Sequence, residues 1–147
     1  MKKIRNVILA FVLSIIVLPV TVNAASASIS VSTSGKAVVG NTITATVTVS
    51  SGSPMGSWQF DINYDSSKLK LVSGQTSVAD TYASHGKSYT LTFQALKSGS
   101  ASIRIGSYDV YSMDESKMSV STGSATVKIM TQAELEATYS KNNNLKS

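Results

Sequence analysis

Along most of the chain, apolar residues recur at every second position. Between residues 42 and 49, Ile43, Ala45, Val47 and Val49 alternate with Thr42, Thr44, Thr46 and Thr48, the period of a strand with one face buried and the other wet. Threonine suits the wet face, because its β-branch fits the pleat while its hydroxyl meets water. Trp58, Phe60, Ile62 and Tyr64 alternate in the same way with Gln59, Asp61 and Asn63, and Tyr89, Leu91 and Phe93 with Thr90, Thr92 and Gln94. Shorter pieces follow at Ile29-Val31, Leu69-Leu71, Ala101-Ile103-Ile105 and Ala125-Val127-Ile129. Turn-forming residues punctuate them: Gly35, Gly40, Ser51-Gly52-Ser53-Pro54, Ser73-Gly74, His85-Gly86-Lys87, Ser98-Gly99 and Thr122-Gly123. Short strands at this spacing, with no helix-period stretch among them, predict an all-β domain, an antiparallel β-sandwich.

Both ends depart from the alternation. Lys2, Lys3 and Arg5 precede an apolar run from Val7 to Leu18, Pro19 stops any helix, and Val22 and Ala24 supply small or compact residues. This is the pattern of a secretory signal peptide, residues 1–24, cut after Ala24. The run is shorter than the ~20 residues that span a bilayer, so contact with a membrane is expected only through this leader, before cleavage. At the other end, Thr131 with Glu134 three residues on forms a capping-box spacing, which predicts one or two helical turns and then a polar linker within residues 131–147. The domain itself is expected over residues 25–130.

Charge matters only after the leader is set aside. The chain carries 13 basic and 8 acidic residues, but three of the basic ones lie in the leader, and the remainder is nearly balanced. No basic stripe is left to argue for nucleic acid. Cysteine is absent, which excludes disulfides and thiolate chemistry, so stability must come from a packed core.

Catalytic patterns fail one by one. His85, the sole histidine, sits among turn residues and reads as a solvated loop side chain. Gly86-Lys87-Ser88 ends like a phosphate loop, but Thr81 stands where its first glycine is needed. Gly52 and Gly56, which have the spacing of a nucleophile elbow, flank Pro54 instead of serine. The eight carboxylates show no spacing that selects a glycosidase pair. Asp109, Asp114 and Glu115 could offer oxygen ligands to calcium, yet they meet no loop-position rule and read as a solvated acidic loop. The expectation is a binding module, not an enzyme, with no cofactor and no metal.

The stretch from Trp58 to Leu71, WQFDINYDSSKLKL, resembles the signature of the cohesin family: an alternating aromatic strand ends in Tyr64-Asp65 and leads into a short leucine-bearing strand. The order of turns and strands around it agrees from Ser28 to Ile129. In physical terms Tyr64 and Leu69 are expected to bury against the opposite sheet while Asp65 caps the turn between them. The resemblance implies a jelly-roll sandwich of about nine strands, similar to certain carbohydrate-binding modules. It also implies a partner, a dockerin-like or other protein module gripped on one sheet face, in assemblies that degrade polysaccharide. The family's asparagine and aspartate on that face fall here at Ser57 and Gln59, with Asp61 next along it, and these three are the candidate partner-binding residues. The alternative is direct binding of polysaccharide, with Tyr82, Tyr108 and Tyr111 as stacking candidates, or a spacer or adhesin without a ligand. The last six residues, Asn142 to Ser147, are similar to the opening of a cadherin-like β-sandwich repeat, as though a further domain began there. The expected location is extracellular, with surface attachment through downstream modules.

Overall fold

The computed structural model describes residues 25–146; the expected leader, residues 1–24, lies outside the described residues. Seven strands and one helix follow in order: β1 (Ser26–Gly35), β2 (Thr42–Tyr64), β3 (Leu69–Ser73), β4 (Ser77–Ala95), β5 (Gly99–Ser112), β6 (Ser119–Thr122), β7 (Ser124–Ile129) and α1 (Gln132–Leu145).

Two strands are long enough to serve two sheets. The first part of β2, residues 42–50, lies between β1 and residues 86–94 of β4, and its second part, residues 55–64, lies between residues 77–84 of β4 and β5. The result is one layer ordered β6-β1-β2-β4-β3, called here sheet I, and a second ordered β4-β2-β5-β7, sheet II. The layers face each other. Phe60 of sheet II meets Tyr89 of sheet I edge to face at 5.6 Å between centroids, and Tyr64 meets Phe93 at 4.8 Å, although neither pair shares a ladder rung. Counted by the sheet they serve, β2 and β4 each contribute twice, so the architecture agrees with the nine-stranded sandwich that the resemblance implied. One pairing departs from an antiparallel sheet: β6 runs parallel to β1.

The core is the inward alternation of both layers. Ile29, Ala45, Val47, Val49, Leu91, Phe93, Ile103 and Val110 are completely buried, and no polar residue is buried with them. Tyr64, Asp65 and Leu69 behave as their motif predicts. Leu69 is buried, Tyr64 packs on Phe93, and Asp65 holds the turn by accepting from the Ser67 backbone N–H at 3.1 Å and from Lys68 Nζ at 3.0 Å. Those donors hold the Asp65 carboxyl at a pKa of about 2, the Ser67 hydroxyl contributing most.

Three local expectations are corrected. His85-Gly86-Lys87 and Ser51-Gly52-Ser53-Pro54 are not reversals: both lie inside strands, at the corner where the β2–β4 ladder breaks between the Ser50–Gly86 and Met55–Ser84 pairs. His85 is exposed there, its Nδ1 3.3 Å from the Ser51 carbonyl oxygen. The corner is pinned by residues nine apart on β4: the Tyr89 hydroxyl donates to Asp80 Oδ2, Lys87 Nζ reaches the same oxygen at 3.1 Å, and Trp58 Nε1 donates to the Tyr89 hydroxyl at 2.7 Å. The third correction is the length of α1. The capping box forms as expected, with Thr131 accepting from the Glu134 N–H, but the helix runs on through Asn142, Asn143 and Asn144 to Leu145. Propagating a capped helix costs far less than nucleating one, so weak formers are carried along. The residues compared with a cadherin-like repeat are thus helical as far as Leu145. Among the described residues no helix is long and apolar enough to cross a membrane.

Candidate partner-binding face

Sheet II turns one face to the core and one outward, and β2 runs through its middle. Trp58, Phe60 and Ile62 point in, so Ser57, Gln59, Asp61 and Asn63 point out. The ladder fixes their neighbours: Ser57 lies between Thr81 of β4 and Tyr111 of β5, and Gln59 between Ala79 and Asp109. The three residues singled out in the sequence therefore form one file along the centre of an exposed face.

Gln59 and Asp61 are held by their neighbours. Gln59 Nε2 donates to Asp109 Oδ2 at 3.1 Å, and Lys117 Nζ stands 2.8 Å from the other oxygen of that carboxylate. Lys117 chiefly, and Gln59 after it, hold the Asp109 carboxyl below the usual carboxylate range. Asp61 accepts from the Ser107 hydroxyl at 2.7 Å and the Ser77 hydroxyl at 2.8 Å, and these donors lower its pKa in the same order.

A bulge makes the Asp61 site. Phe60 pairs with Tyr108 but Ile62 pairs with Ile105, so Gly106 and Ser107 together oppose the single residue Asp61. The extra residue bends β5 and turns the Ser107 hydroxyl onto Asp61. At Gly106 a Cβ would sit 2.7 Å from Asn63 Nδ2, so glycine leaves room for the Asn63 amide over β5.

The face is dimpled. A depression of about 270 Å3 is bounded by Gln59, Asp61, Ser77, Ser107, Tyr108 and Asp109. A second, of about 240 Å3, adjoins it through Gln59, Ala79 and Asp109 and reaches Ser57, Thr81 and Tyr111. Tyr108 and Tyr111 thus rim the same hollows as Ser57, Gln59 and Asp61, whereas Tyr82 does not. Tyr82, 43% exposed, stands edge-on to Trp58 at 5.2 Å with Lys87 Nζ over its ring. The three tyrosines make no common platform.

Asp109, weighed in the sequence as a calcium ligand, belongs to this face. Asp114 instead accepts from the Ser116 backbone N–H at 3.1 Å and from the Ser112 hydroxyl in the turn after β5, and exposed Glu115 occupies a left-handed position there, at φ 66°. Among the described residues no three histidine or carboxylate side chains are placed to share a metal ion. The sequence did not single out Ser77, Ser107 or Lys117, the partners of Asp61 and Asp109. Only the strand register brings them together.

The outer face of sheet I differs. Ser30, Thr48 and Ser88 share one rung, Ser32, Thr46 and Thr90 the next, and no charged side chain interrupts these rows. These rows present hydroxyls.

Comparison with known proteins agrees with this architecture. Twenty-seven solved chains match. The sixth cohesin of scaffoldin B from Acetivibrio cellulolyticus, crystallised in complex with a dockerin, superposes with a TM-score of 0.57 at 15% identity, covering 71% of this chain and 99% of that one. A cohesin module from a family 33 glycoside hydrolase of Clostridium perfringens gives 0.59 at 12% identity, over 76% and 100%. A non-cellulosomal cohesin from the archaeon Archaeoglobus fulgidus gives 0.56 at 17%, over 77% and 97%. These likenesses show the fold. No curated protein matches the sequence. The family model for the cohesin domain matches residues 27–110, more than half of the chain, and the protein belongs to the cohesin family.

Proposed function

We propose that this chain is a non-catalytic assembly module, exported by its leader, that docks a dockerin-type partner on the outer face of sheet II as part of extracellular polysaccharide degradation. The observation that carries the reading is the make-up of the two outer faces: on sheet II adjoining hollows and the half-buried carboxylates of Asp61 and Asp109 surround Gln59, whereas the central rows of sheet I present hydroxyls. Recessed polar groups that are already held in place can meet a partner without being ordered on contact, which lowers the entropic cost of association. Support for the partner class comes from the A. cellulolyticus relative, crystallised with a dockerin. Here Ser57 and Gln59 stand where the family presents asparagine and aspartate, which supports a partner selected by neutral hydrogen bonding at those two places.

Binding to purified dockerin modules encoded in the same genome tests it. Gln59→Arg, which sets a bulky cation at the centre of the face, is expected to weaken capture tenfold or more, and Thr46→Arg on sheet I to leave it unchanged. The reverse pattern would move the interface to the other layer. Export is tested by N-terminal sequencing of protein recovered from the medium, which should begin at Ala25, one residue before β1.

A second reading, direct binding of polysaccharide, draws on Tyr108 and Tyr111 at the rims of the same hollows, Tyr108 remaining 40% exposed. Glycan binding abolished by Tyr108→Ala and Tyr111→Ala, without loss of dockerin capture, would support it.

A further inference from the structure

We infer that Arg104 selects the partner on this face by receiving one of its carboxylates; the inference rests on sheet II being the docking surface. Arg104 projects outward from β5, directly opposite Asn63 of β2. It lies at the end of the file Ser57, Gln59, Asp61 and Asn63, four residues or ~14 Å along β2 from the Gln59 rung. An interface of ordinary size, ~800 Å2 per partner, covers both.

The charges beside the β2 file are engaged within the protein, and exposed Lys128 lies across the face on β7, opposite Ser100. Asp61 is held by two serines, and Asp109 by Gln59 and Lys117. Arg104 is exposed and takes part in none of the ion pairs among the described residues. It borders a third hollow, about 260 Å3, formed with Asn63, Tyr64, Asp65 and Ser102. The one carboxylate in that hollow, Asp65, already has its donors in Ser67 and Lys68. With Lys68 balancing Asp65, the guanidinium is the uncompensated charge of this hollow.

A partner that covers the file of β2 must strip water from this guanidinium. Covering a cation without giving it an anion is costly, so the partner that binds must bring one. The planar fork of arginine accepts a carboxylate through two parallel hydrogen bonds, and the Asn63 amide and Ser102 hydroxyl offer further donors beside it. The complementary group is an aspartate or glutamate side chain of the dockerin, placed on the partner surface ~14 Å from whatever meets Gln59.

The test uses immobilised dockerin modules from the same genome and the intact chain. Arg104→Glu is expected to weaken binding about thirtyfold or more, and Arg104→Lys to recover only part of the loss, because a point charge lacks the fork. Replacing the facing dockerin carboxylate with arginine should restore binding to Arg104→Glu alone. The thermal midpoint of Arg104→Glu should match that of the parent, since Arg104 holds nothing inside the domain. Binding unchanged within twofold by Arg104→Glu, while Gln59→Arg abolishes it, would overturn this inference and leave the docking face standing. If no dockerin binds the parent chain, both fall.

Discussion

Replacing Tyr89 with phenylalanine probes what holds the corner between the two sheets. The ring stays, so packing against Phe60 is retained, and only the hydroxyl is lost. That oxygen accepts from Trp58 Nε1 at 2.7 Å, and Trp58 is 2% exposed, so the indole N–H is left buried without an acceptor. Stranding a buried donor costs about 1–3 kcal/mol. The hydroxyl also donates to Asp80, but that carboxylate is partly exposed and keeps Lys87, so water and the lysine take over. This second loss adds at most about 0.5–1 kcal/mol. The expected total is about 2–3 kcal/mol, most of it from the indole.

Trp58 is the only tryptophan of the chain, so its fluorescence in a urea titration reports the corner directly. Asp80→Asn serves as the control. Its amide oxygen still accepts from Tyr89 and only the ion pair with Lys87 is lost, so its cost should be clearly the smaller of the two. In the Trp58→Phe background, followed by circular dichroism, Tyr89→Phe should lose most of its effect, because the stranded donor is gone. A cost for Tyr89→Phe below 0.5 kcal/mol, or equal costs in both backgrounds, would refute the assignment of this stability to the indole hydrogen bond. At high pH the same group acts in the other direction. Burial, and next the hydrogen bond to Asp80, push the Tyr89 pKa up to about 12, so its contribution is complete below the ordinary tyrosine value and is lost as pH rises through about 12.

Other outcomes follow from single residues. Asp65, held at about pKa 2, contributes stability that is present above its ordinary value of 3.8 and is lost as pH falls through about 2; urea midpoints measured from pH 5 to 2 should fall less steeply in Asp65→Asn. Gly56→Ala places a Cβ 2.8 Å from the Ser112 carbonyl oxygen, backbone that cannot move aside, and should cost about 1–3 kcal/mol by thermal melting. Thr131→Ala removes the cap of α1 and should lower helical circular dichroism, at a cost of about 0.5–2 kcal/mol to the helix, without changing the melting of the sandwich.

The period-2 pattern made most of the sandwich legible, and the places where it failed share a physical cause. In β2 the buried residues fall at odd numbers from Ile43 to Met55 and at even numbers from Trp58 to Ile62. The phase changes at Gly56, where the ladder slips by one residue, and the turn-forming residues 51–54 lie where the β2–β4 ladder breaks, so one continuous strand read as two with a turn between them. β5 does the same: Ala101 and Ile103 are inward, then Val110, with the bulge at Gly106 and Ser107 between. The first half of β4 was invisible for another reason. Its inward positions are Val78, Asp80 and Tyr82, and a carboxylate can face inward only because Tyr89 and Lys87, supplied from beyond the corner, satisfy it.

The same reasoning separates what sequence can say about the two outer faces. On sheet I, alternation alone names every outward residue, because β1, β2 and β4 are in phase across residues 28–34, 42–50 and 88–94. On sheet II, Ser57, Gln59 and Asp61 could be placed on a face from β2 alone, but the chemistry of that face depends on β5, whose phase is shifted by the bulge. Without the shift, Ser107 would turn inward and Asp61 would lose its closest donor; with it, Asp61 is tied down. One extra residue in one strand therefore decides whether the Asp61 carboxylate is engaged within the protein. Shortening that bulge by deleting Ser107 should shift the outer residues of β5 by one and disable the docking face even if the sandwich still folds. Dockerin capture that survives the deletion in a folded variant would count against the whole assignment.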